Sequence, residues 1–516
     1  MFQTDAFPAE AATKSEFPMS DPADQRPPTQ NSSARTSSEP PAIPETPLAD
    51  ALLASAGTTR ASFHALPVSR RGSIRDSAFA DAYDALFGRG LFSEATITAP
   101  PLDSFFFPHR SLARAEELAA RAFGATGTLF VTAGTTTANL IALEALITRP
   151  DVRVLADKGT HQSIHFALSD KHAAVNYIEP QVFCEHSERA ALSLPALLEQ
   201  AAAAERAGAP YELLVLNGQS YDGVVYDIRA ILTALAEASP SLTTVFVDEA
   251  WGAWSYFHET TRGRTALHAR TADPALERFT VVATHSAHKS LSALRQGSLI
   301  HFSGDPELAE RLRLGRYRHH TTSPSYPILA SLDLSRAQME LEGRDLVERS
   351  LRLARRVTET VAGDPALSAF SVNAPAVPDA FDGHAAIDPT KLSLRVSGLP
   401  IDAPELRERL YSRHGLYVNR CTRTSLLLNL HIGIGDEEVA ALLDALRTIQ
   451  RELSPAVERS DEQAGERRVS ISFIIPYPPG VPIIVPGEEI GGDTLRRIEA
   501  IRSAGARIYT IEHRPR

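Results

Sequence analysis

The sequence predicts an α/β fold with a mostly parallel sheet, followed by a smaller α+β region. Three observations predict it. From about residue 110, short β-rich runs alternate with amphipathic stretches of helix length, the pattern of strand–helix–strand units. Chemically distinctive residues fall just after the β-rich runs, where such sheets bind ligands. After about residue 325 the alternation gives way to one long helical stretch and then to shorter mixed elements.

Taken in order, residues 1–50 are rich in Pro, Ser, Thr and Glu. They cannot bury enough apolar surface to offset the entropy of ordering, so a disordered tail is expected. Strands are expected at Thr128–Thr132, Val152–Ala156, Ala174–Ile178, Glu212–Leu216, Thr243–Val247, Thr280–Ala283 and Ser298–Phe302, with helices such as Asn139–Ile147 and Leu192–Ala207 between them. A long helix follows from Ile328 to about Ala362. Next come a strand at Leu392–Val396, a helix at Ala403–His414, a strand at Leu426–Leu430 and a helix at Asp436–Leu453. The Pro-rich stretch PYPPGVPIIVPGE (476–488) leads into a last helix near Thr494–Ser503. The expected segments are a tail (1–50), a major domain (51–335), a smaller α+β domain (336–455) and a C-terminal segment (456–516).

Bulk properties narrow the function. A chain of 516 residues has room for two or three domains. A net charge of −11 disfavours non-specific binding to nucleic acid or to an anionic membrane. No apolar run approaches the ~20 residues of a membrane span, and the acidic N-terminus lacks the apolar stretch of a secretory signal, so a cytoplasmic protein is expected. The two cysteines, Cys184 and Cys421, are too few and too far apart for a disulfide framework. No spacing suggests a zinc site, and no metal is expected. Only five residues are lysine: Lys14, Lys158, Lys171, Lys289 and Lys391. A reaction that needs a lysine amine therefore has few candidates.

Four segments carry chemistry. In TVVATHSAHKSLSALRQGSLIH (280–301), Lys289 sits in the polar turn after a strand, beside Ser286 and His288. A buried lysine of depressed pKa is the usual Schiff-base amine, although a lysine of a surface loop would read the same way. In TTVFVDEAWGAW (243–254) a strand ends in Asp248, with Trp251 three residues on. An acid there can stay ionised against a cation such as a protonated pyridine nitrogen, or simply cap the next turn. Alternation points Glu249 the other way. In LFVTAGTTTANL (129–140), Gly134 and the threonines Thr135 and Thr136 precede a helix, whose free N–H groups suit a phosphate; an ordinary capped helix start fits equally. In VLADKGTHQSIHF (154–166), His161 follows a strand, where its ring could stack on a flat cofactor. Each signal has an ordinary reading alone. Together, in chain order, they form a phosphate cup, a stacking ring, a pyridinium partner and a Schiff-base lysine, which points to pyridoxal 5'-phosphate.

These residues resemble the bacterial ornithine/lysine/arginine decarboxylase family of fold-type I enzymes. The lysine signature appears as Ser286-Ala287-His288-Lys289, then Ser292-Ala293 and Gln296-Gly297-Ser298. A second element reads Asp248-Glu249-Ala250-Trp251-Gly252, and a third Asp157-Lys158-Gly159-Thr160-His161-Gln162-Ser163. YDG (221–223), TTSPSYPILASLD (321–333), DPTK (388–391) and YPPGVPIIVPGE (477–488) also match, in the family's order. The resemblance implies that Lys289 carries the cofactor and that Asp248 pairs with its ring nitrogen. His161 stacks on the ring, Trp251 lies at the cofactor, Thr135, Thr136 and Ser286 hold the phosphate, and His288 flanks the lysine. It implies that Thr321 or Thr322 reaches the phosphate of a neighbouring subunit, so that sites are shared in a homodimer or higher oligomer. It implies decarboxylation of a small basic amino acid: lysine, ornithine or arginine. Two departures stand out. Arg295 occupies a position where the family has a small residue, and Asn419 stands where many members have Glu. An aminotransferase or another lyase of the same fold would share the cofactor residues. A catalytically silent protein of that fold would keep them without turnover.

Overall fold

A computed structural model of the chain describes residues 42–88, 101–373, 377–381, 383–453, 468–470, 472–486, 488–503 and 505–512. Most of the expected tail lies outside these residues. Its last four residues do not behave as tail, because a helix runs over Pro47–Thr58 with Leu48 and Ala49 buried. Two features start it there. Pro47 is pre-set for a first helical position, and the buried Asp333 carboxylate accepts the free N–H groups of Leu48 (2.9 Å) and Ala49 (3.3 Å).

Seven strands form the central sheet: β1 (Gly127–Val131), β2 (Arg153–Asp157), β3 (Ala174–Ile178), β4 (Leu213–Asn217), β5 (Thr244–Asp248), β6 (Thr280–His285) and β7 (Ser298–Ser303). Their order is β1-β7-β6-β5-β4-β2-β3. All neighbours are parallel except those of β7, which runs antiparallel to both β1 and β6. The strands are apolar on both faces because both faces are covered. Along β5, Val245 and Val247 enter one core with Leu214, Leu216 and Val281, while Phe246 enters the other with Val154, Val215 and Val282.

Helices α1 (Gly134–Leu146) and α2 (Gln162–Asp170) start directly after β1 and β2, and a short helical turn, α3 (Ala287–Ser290), follows β6. Helix α4 spans Tyr326–Gly363, 38 residues or about 57 Å at the α-helical rise. Its residues up to Leu351 serve the major core, and those from Leu353 serve a second one. The boundary expected at 335/336 falls inside this helix. The second core lies under a four-stranded antiparallel sheet of β8 (Phe370–Asn373), β9 (Lys391–Val396), β10 (Arg420–Cys421) and β11 (Ser425–Asn429), ordered β8-β9-β11-β10. Helices α5 (Ala403–His414) and α6 (Asp436–Glu452) cover it.

The C-terminal segment pairs β12 (Ser472–Tyr477) with β13 (Arg507–Glu512) and carries α7 (Gly492–Ser503). It returns to the major domain. Phe473, Ile475 and Val485 pack on Phe166 and Tyr177, and the Lys158 ammonium bridges Glu179 (2.7 Å) and Glu488 (2.5 Å). Among the described residues, no helix is long and apolar enough to cross a membrane.

Candidate active site

At the carboxyl ends of the parallel strands lies a cavity of about 240 Å³. Gly134, Thr135, Thr136, His161, Asp248, Trp251, Ser286, His288 and Lys289 all line it. The topology explains the convergence. β5 delivers Asp248 at its last paired residue, β1, β2 and β6 deliver their groups in the turns and helix starts that follow, and these strand ends lie at one end of the sheet.

The wall at the start of α1 is built from hydroxyls. Thr135 Oγ1 lies 2.8 Å from Ser298 Oγ and within hydrogen-bond reach of Ser286 Oγ. Gly134 has φ +79°, a left-handed conformation that glycine adopts without a steric penalty, and a Cβ there would meet nothing within 4 Å. Its N–H donates to the Gln296 carbonyl at 2.9 Å. The following N–H groups of a 13-residue helix and three hydroxyls are the donor set of a phosphate site.

Asp248 is buried at the end of β5. Its Oδ1 accepts the Ala250 N–H at 3.0 Å and its Oδ2 the Asn139 amide at 3.4 Å. Asn139 is fixed in turn: its Oδ1 accepts Thr284 Oγ1 at 2.8 Å, and its Nδ2 donates to Ser163 Oγ at 3.1 Å. Burial raises the Asp248 carboxyl above the ordinary range, and the Lys289 charge opposes that rise. A cationic ring nitrogen would relieve the same desolvation. Glu249 faces away from the cavity, accepting the Ala266 N–H (2.9 Å) and meeting His285 Nε2 (3.1 Å).

Lys289 lies on α3, and burial lowers its amine, with Asp248 opposing. Its Nζ stands 4.5 Å from the centroid of the Trp251 ring. His288 donates Nδ1–H to the Gly297 carbonyl at 2.8 Å, which fixes its ring. His161 caps α2: its Nδ1 accepts the Ser163 N–H at 3.3 Å and meets Ser163 Oγ at 2.9 Å. Burial, then the Lys289 charge, bring it down to about 4, so the ring is neutral near pH 7. The C-terminal segment closes over it. Gln162 N–H donates to the Gly480 carbonyl at 2.8 Å, and Tyr477, Pro479 and Val481 line the cavity.

Thr321 and Thr322 are not brought to this cavity. Both are exposed, and Thr321 Oγ1 accepts the Ser323 N–H at 3.1 Å. Arg295 does line the cavity, at its exposed rim. Sequence reasoning missed Asn139 and Gln219, and named Ser298 and Lys391 without giving either a role in the site. Asn139 was within reach of it, because it lies four residues after Thr135 and hence on the same helix face. Gln219 gave no signal; it lines the cavity and donates to Asp388 Oδ2 at 2.6 Å.

The residues present fit pyridoxal phosphate: a hydroxyl and N–H cup, a buried carboxylate and a buried lysine amine line one cavity. Comparison with known proteins agrees with this fold and motif set. The family model for the Orn/Lys/Arg decarboxylase major domain matches residues 46–438, and that for the family's C-terminal domain matches 439–508. A lysine decarboxylase of Pseudomonas aeruginosa is 33% identical over 296 residues, covering 54% of this chain and 38% of that protein. An arginine decarboxylase of Bacillus subtilis is 26% identical, covering 89% of this chain and 94% of that one. The solved structure of the constitutive lysine decarboxylase of E. coli superposes with a TM-score of 0.73 at 21% identity, over 90% of this chain and 80% of that one. Since the two family models together run from residue 46 to 508, across both cores and the C-terminal segment, this chain belongs to the Orn/Lys/Arg decarboxylase family.

Proposed function

We propose that the protein is a pyridoxal-phosphate-dependent decarboxylase of a basic amino acid, releasing carbon dioxide and the corresponding amine. The observation that carries the reading is the convergence of Lys289, Asp248, His161, Thr135 and Ser286 on one cavity, with Ser298 bonded to Thr135. Relatives named lysine and arginine decarboxylase support the substrate class.

When bound, pyridoxal phosphate supplies the electron sink for the pair released from the Cα–carboxylate bond. Lys289 supplies the amine that carries the cofactor, and its lowered pKa leaves more of it in the neutral, nucleophilic form. Asp248 holds a proton at the ring nitrogen. Asn139 keeps the carboxylate aimed, because both its amide atoms are committed elsewhere in the site. His161, neutral and capped onto α2, covers one face of the ring. The hydroxyl cup anchors the phosphate. Closure by Tyr477, Pro479 and Val481 keeps water from the bond being broken. Lys289 or His288, both lining the cavity, returns a proton to Cα. Thr321 or Thr322, both exposed on this chain, would reach the phosphate of a neighbouring copy, which makes the working unit at least a dimer.

The test is incubation of purified, PLP-loaded protein with lysine, ornithine and arginine separately, with products identified by mass spectrometry. Cadaverine, putrescine or agmatine in one reaction is the expected result. A keto acid, or no amine in any of the three, overturns the reading.

A further inference from the structure

The roles above leave one buried amine unused. Lys391 opens β9 in the small sheet, yet its side chain crosses into the major domain. It is 3% exposed. Its Nζ donates to the carbonyls of Ser220 (3.2 Å) and Tyr221 (3.1 Å), in the turn that follows β4. The turn lies directly on the lysine stem: a Cβ on Gly223 would come within 2.9 Å of Lys391 Cβ. The ammonium then stands 4.2 Å from the centroid of the Trp251 ring, the ring that Lys289 Nζ approaches to 4.5 Å.

Taking an ammonium out of water is costly unless its donors are satisfied. Here two protons have carbonyl partners, and the indole face offers the remaining attraction. A hydrocarbon side chain would fill the same space without a desolvation penalty, so the charge itself has a use at this point. The charged groups around it come from four segments: Asp388 before β9, Asp222 in the turn after β4, Lys289 on α3 and Arg189 from the Arg189–Ala191 strand. Burial is the largest influence and brings the amine down to about 8; the two carboxylates oppose this, and Lys289 and Arg189 add to it.

We propose that Lys391 is a positioning residue for the reaction: its ammonium, delivered from the small sheet, holds the Trp251 ring against the Lys289 amine and keeps a second positive charge beside it. The role assigned to Lys289 rests on the decarboxylase reading. The contact with Trp251 does not.

The first arm therefore uses protein without cofactor or substrate. The chain has two tryptophans, so Trp254→Phe leaves Trp251 as the sole indole. With Lys289→Ala added, which removes one of the charges that lower the Lys391 amine, Trp251 emission is expected to titrate with a midpoint above pH 8, and Lys391→Met on top should abolish that transition. Flat emission in the Lys289→Ala protein overturns the proposal, and this comparison needs no folded variant at position 391. In the second arm, the visible absorbance of the lysine-bound cofactor is titrated in otherwise unmodified PLP-loaded protein. Removing a nearby positive charge favours the protonated imine, so K391M should move the midpoint up by about one pH unit, the Coulomb effect expected at an effective dielectric of ~20. K391R should restore it. Identical midpoints in K391M and the parent overturn the proposal, whatever amino acid the enzyme turns over.

Discussion

Asp248 and Lys289 were legible because each is a polar residue at the end of an apolar strand, and β-sheet topology makes such positions meet. Asn139 was not read, although its spacing from Thr135 carried the signal, because an asparagine inside a helix has many ordinary uses. The contact of Lys391 with Trp251 was beyond reach: Trp251 lies in the turn after β5, far away in sequence, and only the packed fold joins them. Asn139 yields a prediction. Asn139→Ala removes a hydrogen bond to a buried carboxylate, worth about 1.5–3 kcal/mol for a charged acceptor. If that bond aims Asp248, kcat should fall roughly 10- to 100-fold, with the melting temperature lowered only modestly. Asp248→Ala should go further, leaving protein that retains cofactor through the hydroxyl cup and Lys289 but turns over poorly. Steady-state kinetics and retained visible absorbance check both. Near-normal kcat in Asp248→Ala would mean that the ring nitrogen has another partner, and in Asn139→Ala that the Asn139 bond does not aim the carboxylate.

The seven strands of the central sheet are legible in the sequence, whereas short ones such as Val224–Tyr226, Phe370–Asn373 and Arg420–Cys421 are not. Four of the seven are expected to end at their last apolar residue, whereas the ladder continues one or two residues further, to Asp157, Asn217, Asp248 and His285. Two of those extra residues, Asn217 and Asp248, line the cavity, because the end of the sheet is where the cavity begins. Helix α1 starts five residues before the expected Asn139, since a run of β-branched threonines reads as loop while its hydroxyls serve the helix start. Helix α2 gives a pH prediction. His161 and His165 are both brought down to about 4 by burial, against about 6.5 in the unfolded chain. Between those values the unfolded state binds more protons, so stability should fall as pH drops from about 6.5 towards 4. The helix N-terminus adds to the penalty, because it disfavours positive charge. Buried Asp157, raised to about 7, takes up a proton in the same window and opposes this, so the histidine loss is read by comparing variants in melting temperatures of cofactor-free protein at about pH 7 and pH 5. His161→Asn keeps a side-chain cap on α2 and should shrink it; an equal loss in His161→Asn would remove His161 from the account.

At the scale of the whole molecule, the site is finished by chain distant in sequence. Gly480 has φ +85°, and a Cβ there would lie 3.2 Å from His161 Nε2. Gly480→Ala should therefore cost about 1–2 kcal/mol of backbone strain and lower activity by displacing the His161 ring, visible as a weaker cofactor affinity. If sites are shared as proposed, a second completion comes from outside the chain. His320 is buried and anchored, its Nε2 accepting the Thr132 N–H at 3.0 Å and its ring 4.5 Å from that of Phe105, while the next three residues, Thr321 to Ser323, are exposed. A rigid base carrying outward hydroxyls suits a group offered to a neighbouring copy, and Tyr317 and Phe107 expose aromatic surface close by, with ring centroids 6.4 Å apart. If sites are shared, Lys289→Ala and the double variant Thr321→Ala/Thr322→Ala should each be impaired alone at limiting PLP. Subunits mixed after dissociation should regain activity, because one site of each mixed dimer then combines an intact Lys289 with intact threonines from its partner. Random pairing of equal amounts makes that about a quarter of all sites. Recovery near that level is expected. A mixture no more active than the average of its parents, or a double variant with full activity at limiting PLP, would place the whole phosphate site within one chain.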